Sequence, residues 1–297
     1  MARRKLEELN LLDDFLFGSV VSYPGIGEQF ARILLRIIFH REFGKLTVIS
    51  QKNYYGIDTD KHGARLDVYL EEQELPQGAQ ENATVYDVEP EQKNSEKVVA
   101  ALPRRVRFYH ARIDAGSLES GTDYHTLKNV IIIMITPYDP FGLNRMVYTI
   151  QNGCVEEPQM PYDDGAKTLF LYTKGTAGNP PEELRQLLLY FEDTREANAS
   201  NEDLREIQSM VETVKRDKEV SVGYMKIFEM EQLLLDQGRE EGREEGREEG
   251  LAEGRKQGLE EGRQEERVNT ERERRRAQAA EEENRLLREE LRRLKGN

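Results

Sequence analysis

The chain has 297 residues, 34 % of them Asp, Glu, Lys or Arg, with a formal net charge of -14 and a single cysteine, Cys154. That length buries a real core in one large domain or two modest ones. The acidic balance excludes broad, nonspecific adhesion to nucleic acid, though not a local basic groove. The lone cysteine excludes an internal disulfide framework and a Cys-rich zinc site, points to a reducing cytoplasm, and reads as a small hydrophobe at a strand edge.

Residues 12–20 predict a short helix, and GIGEQFARILLRIIFHREF a longer one with Phe30, Ile33, Leu34, Ile37 and Ile38 at helical spacing. ARLDVYL and TVYDVE alternate with period two on either side of a Gln, Glu, Pro and Gly-rich connection, which predicts an antiparallel hairpin with its loop at about 72–84. PRRVRFYHARIDAG predicts an amphipathic helix with Val106, Tyr109 and Ile113 on one side and Gly116 past its end. NVIIIMI lacks polar alternation and predicts a strand buried on both faces, at the centre of the sheet. RMVYTIQ and TLFLYTK predict two further strands, and PPEELRQLLLYFED, NEDLREIQSMVETVKRD and GYMKIFEMEQLLLDQ three helices.

This order predicts an α/β fold, a mixed sheet flanked by helices, over residues 1–195, and a helical subdomain over 196–236. A charged Gly-Arg-Glu repeat follows over 237–297. The repeat carries 16 Lys plus Arg against 18 Asp plus Glu, so nearly all of the net charge belongs to the first 236 residues. Each interior glycine costs about 1 kcal/mol against alanine, whereas Glu-to-Arg pairs three apart return only ~0.2–0.5 kcal/mol each. The repeat is therefore expected to be an extended, solvated spacer or a marginal helix. Leu287, Leu291 and Leu294, at spacings of four and three, suit either a short coiled coil joining copies into a homo-oligomer or one charged helix with an incidental stripe. The longest apolar run, Val130 to Ile135, is far shorter than the ~20 residues of a spanning helix, so a cytoplasmic protein without a membrane partner is expected.

If the two hairpin strands pair with Asp67 opposite Glu89, paired positions sum to 156 and the two carboxylates share one face, their Cβ atoms ~5 Å apart. Leu66, Val68, Leu70, Tyr86 and Val88 then take the other face. Like charges placed so are unfavourable, and either a cation lies between them or the register differs by a residue. A hard divalent ion such as Mg²⁺ or Mn²⁺ suits two carboxylates, although carboxylates at strand ends are ordinarily just solvated.

The stretches ARLDVYLEE, VYDVEPEQ, LPRRVRFYHARIDAGSLESGTDY and VIIIMITPYDPFG, in this order, resemble the recombination-promoting nuclease and transposase-like family of the PD-(D/E)xK nuclease superfamily, as does the Gly-Arg-Glu-Glu composition of the tail. The resemblance covers most of residues 10–150. It implies a restriction-endonuclease-like core that cuts DNA with Mg²⁺ or Mn²⁺, the metal held by Asp67 and Glu89. The catalytic set it implies is Asp67, Glu89, Glu91 and Lys93, with Glu91 at the position that the superfamily usually fills with lysine and such relatives often with glutamine. A glutamate supplies no positive charge to an attacking water. Lys93, of the same strand parity, or Gln92 takes that part if Pro90 bends the strand; otherwise Glu91 is a third metal ligand or marks a member that binds without cutting.

Asp14 and Glu28 are candidates for a further acid, Asp14 equally for a helix N-cap and Glu28 for a solvated face. Arg104, Arg105, Arg107 and Arg112, interleaved with Phe108, Tyr109 and His110, are candidates for phosphate contacts or for a solvated face that neutralises an acidic body. His110 reads as a packed helix residue and His62 as a loop residue, and four histidines without paired spacing predict no zinc site.

Overall fold

The computed structural model describes residues 4–54, 64–72, 83–118 and 121–295. Helices α1 (Asp14–Ser22) and α2 (Gly27–Phe39) precede strands β1 (Leu46–Tyr54), β2 (Ala64–Glu72) and β3 (Thr84–Pro90). Helix α3 (Glu96–Ser117) leads into β4 (Asn129–Thr136), β5 (Val147–Gln151) and β6 (Ala166–Tyr172), and α4 (Glu182–Glu192), α5 (Glu202–Arg216) and α6 (Lys218–Lys295) complete the chain. The fold is α/β, a six-stranded mixed sheet in the order β1-β2-β3-β4-β6-β5 flanked by helices. Pairs β1/β2, β2/β3 and β5/β6 are antiparallel, and β3/β4 and β4/β6 parallel.

The interior position of β4 explains its uninterrupted apolar run. Val130, Ile132 and Met134 pack on one face with Leu102, Val106 and Ile113 of α3, while Ile133 and Ile135 join the opposite core of α1, α2, α4 and α5. The periodic residues predicted for α2, Phe30, Ile33, Leu34, Ile37 and Ile38, are all buried in that second core.

Several expectations are corrected. Strand β1 went unpredicted because it is an edge strand of half-exposed, polar-rich positions, LTVISQKNY. Helix α3 begins at Glu96, seven residues before Pro103, which lies inside the helix. Cys154 lies in the loop beyond β5, half-buried, with its Sγ 3.5 Å from Glu156, rather than at a strand edge. Most of the hairpin loop and His62 lie outside the described residues.

The chain divides into two compact units, residues 1–225 and 226–297. Residues 196–225 therefore form no subdomain of their own: Leu204, Ile207, Val211 and Val214 of α5 are in the core of the first unit, where Val220 and Tyr224 also pack. Helix α6 includes the whole repeat, so the extended spacer is overturned. Nucleation is the costly step of helix formation, and α6 starts from turns fixed by Val220 and Tyr224, leaving only propagation to the Glu- and Arg-rich repeat.

Candidate functional site

The hairpin register is the one that sums to 156: Val68 pairs with Val88, Tyr69 with Asp87 and Leu70 with Tyr86. Continued by one residue, it brings Asp67 to Glu89, and the Asp67 backbone N–H donates to Glu89 Oε1 at 2.7 Å. Val68, Leu70, Tyr86 and Val88 face the α1 and α2 core as expected, but Leu66 lies with Tyr69 and Val85 on the α3 side. The reason is local. Gln51 of β1 has φ 54°, and the ladder skips between the pairs Ser50–Val68 and Lys52–Leu66, so the strand turns its faces there.

Period two along β3 puts Asp87 beside Glu89, and both are almost fully buried, at 0 % and 4 % exposure. No N–H group donates to either Asp87 oxygen, and the Glu89 carboxyl does so only when it is itself protonated. Burial, then the charge of Asp67, holds the Asp87 carboxyl well above the usual carboxylate range, against the opposing pull of Arg105. Glu89 is raised likewise by burial and by Asp87 and Asp67, with the Asp67 N–H and Arg105 drawing the other way. Three carboxyl groups thus crowd one side of the hairpin beneath α3. Sequence reasoning missed Asp87, although its alternation with Glu89 was a visible signal.

Glu91 follows β3, its backbone N–H donating to Ile135 O at 2.9 Å. Both of its carboxylate oxygens are engaged. Arg105 Nη1 of α3 donates to Oε2 at 2.6 Å, and the Lys93 backbone N–H donates to Oε1 at 2.8 Å. Lys93 lies past the end of β3, its side chain exposed and near Asp14. Gln92 turns away and donates to Leu12 O at 2.7 Å.

Asp14 reaches solvent, yet crowding around it, then Asp13 and Glu91, raises its carboxyl above the ordinary value, with Lys93 and Arg105 opposing. The N-cap of α1 is Asp13, which accepts from the Phe15 N–H, because the helix starts one residue earlier than the cap at Asp14 required. Glu28 is not at the site: it accepts from Leu46 N–H at 3.3 Å and fixes the start of β1.

The arginines of α3 separate. Arg105 turns to the carboxylates and Arg112 is half-buried, whereas Arg104 and Arg107 are exposed. His110 packs as expected, one ring nitrogen 3.0 Å from Thr168 Oγ1.

Among the described residues, no group of three or more His, Cys, Asp or Glu side chains converges as a ready-made metal cage. The donor set of Asp67, Asp87 and Glu89, oxygens only, is of the kind that a hard divalent ion takes, and both Asp87 oxygens are buried without a partner. Compared with family models, with curated proteins and with solved structures, the chain finds no match.

Proposed function

We propose that this chain is a metal-dependent, DNA endonuclease-like protein associated with recombination or mobile DNA, with a restriction-endonuclease-like core. The observation that carries this reading is the buried carboxyl cluster of the β2–β3 hairpin, whose Asp87 oxygens lack donors. Such a cluster is costly unless a cation compensates it.

Asp67 and Glu89 hold Mg²⁺ or Mn²⁺, and Asp87 adds a third negative charge beside them. A bound divalent ion supplies Lewis acidity, a more acidic water and charge for the phosphate. The chain's own part is to keep these carboxylates desolvated under α3 and to present Arg105 next to them. Exposed Arg104 and Arg107, together with Arg112, contact the DNA backbone, whose phosphates position without specifying sequence. Copies associate through the tail. A second reading, a catalytically inactive member acting as a DNA-binding or protein-interaction module, is favoured by Glu91, whose two oxygens are already taken by Arg105 and the Lys93 N–H.

Nicking of supercoiled plasmid with Mg²⁺, Mn²⁺ or EDTA separates the two. Metal-dependent nicking absent from identically purified Asp67→Ala is the expected result. DNA binding indifferent to metal, with no nicking by a folded preparation, selects the silent module. In parallel, saturating Mn²⁺ raises the melting temperature of the wild type, by about 2.7 kcal/mol of stability at a hundredfold excess over its dissociation constant, and does not raise that of Asp67→Ala.

A further inference from the structure

Asp67, Asp87 and Glu89 crowd one side of the hairpin and Glu91 follows them along the chain, and on the nuclease reading this side must also receive an anionic phosphodiester. A carboxylate at position 91 only adds to the repulsion. The side chains around it supply the opposite charge. Glu91 is anchored by its own backbone to β4 and by Lys93 N–H at Oε1, so its Oε2 is a fixed point for Arg105, 2.6 Å away. The pair is largely enclosed, at 30 % side-chain exposure for Arg105 and 11 % for Glu91. With Nη1 committed, the guanidinium keeps its fork geometry, and its Nε is buried without an acceptor. The Tyr138 hydroxyl, electrostatically coupled to both Glu91 and Arg105, is a second buried polar group without a partner. The Arg105 side chain is only partly buried, so an edge of its guanidinium remains within reach of an anion oxygen that arrives with its own cation.

We propose that Glu91 is a positioning residue that holds the Arg105 guanidinium at the end of β3, where the solvent-reaching edge of that guanidinium donates to a non-bridging phosphodiester oxygen and supplies from α3 the positive charge that position 91 lacks. The inference rests on the nuclease reading and refines it. Glu91 is then neither a metal ligand nor the sign of a dead site, and Lys93 is dispensable.

The test uses the full chain and a short labelled DNA duplex, with binding followed by fluorescence anisotropy in Ca²⁺, cleavage in Mn²⁺, and folding by melting temperature. Arg105→Gln is expected to cut on the order of 10²–10³-fold more slowly, the usual loss for one preorganised donor, while its affinity falls only about three- to tenfold, the scale of one phosphate contact. Arg105→Lys retains at least a tenth of wild-type cleavage. Glu91→Lys combined with Arg105→Gln regains at least tenfold over Arg105→Gln alone, because the charge returns from the strand instead of the helix. A merely structural pair predicts the reverse: lowered melting temperatures, equal cleavage below them, and no rescue. Cleavage by Arg105→Gln at the wild-type rate overturns the proposal. Should the wild type bind the duplex without cutting it, the nuclease reading fails separately. Arg105 is then judged by affinity alone, and unchanged binding by Arg105→Gln overturns its phosphate contact.

Discussion

At Asp87 a burial of 0 % exposure meets a carboxyl that no N–H group serves, and the consequence is a pH dependence of stability. Asp87 is faced by Asp67 from β2, Glu89 from its own strand, Tyr54 from β1, and Arg105 and Tyr109 from α3. Asp87 and Glu89 have folded-state values above their unfolded ones, so the folded chain retains protons that the unfolded chain has released. The contribution of these two groups to the stability of the metal-free chain is therefore fully present below the ordinary carboxylate range and is lost as pH rises through the raised values. Asp87→Asn, which keeps the shape and removes the charge, is expected to flatten that slope and to stabilise the metal-free chain at pH 8 by about 1–3 kcal/mol. Urea titrations of both proteins from pH 4 to pH 9 without divalent ions measure it, and parallel curves sink the idea. Asp87 was legible in TVYDVE by its spacing from Glu89, but nothing in that string distinguishes an exposed alternation from one roofed by a helix. Arg105 was legible as one of four arginines; only the α3 packing separates it from Arg104 and Arg107.

At the scale of elements, the hairpin register and the central strand were readable because side chains alternate strictly with period two, and a slip of one residue would have turned Val68, Leu70, Tyr86 and Val88 out of the core. Strand β1 was not readable. Its contribution is a row of backbone hydrogen bonds to β2, and its half-exposed side chains carry little hydrophobic signal. The first turn of α2 shows how closely the elements that cover this sheet approach. A Cβ at Gly27 would stand 1.8 Å from Val21 O, a backbone atom that cannot swing aside. Gly27→Ala is expected to cost about 3 kcal/mol, the upper end of overpacking, seen as a lower denaturation midpoint with the same slope. A loss below about 0.5 kcal/mol would mean that the α1–α2 turn shifts freely.

Across the whole molecule, residues 1–225 hold the buried cores, and the described residues from 232 to 291 are exposed in the single chain. No helix of the described residues is long and apolar enough to cross a membrane. Exposed Leu287 and Leu291 near the end of α6 belong to the seam of Leu287, Leu291 and Leu294 through which copies are proposed to associate; the side chain of Leu294 lies outside the described residues. Deleting 237–297 is expected to leave the melting temperature of the remaining chain within a degree or two and to lower the number of copies per particle measured by light scattering; an unchanged number of copies removes the tail from any assembly.

Periodicity and composition by themselves determined the α/β class, the hairpin with its register narrowed to two alternatives, the doubly buried β4 and the break in composition near residue 236, because each depends on a pattern local to the chain. Tertiary structure alone decided that α5 belongs to the main core, that Asp87 lacks a hydrogen-bond donor, and that Glu91 is spent on Arg105. Those facts depend on which surfaces exclude water from one another, and residues as far apart in sequence as Glu91 and Arg105 acquire a common environment only once α3 has packed on the sheet.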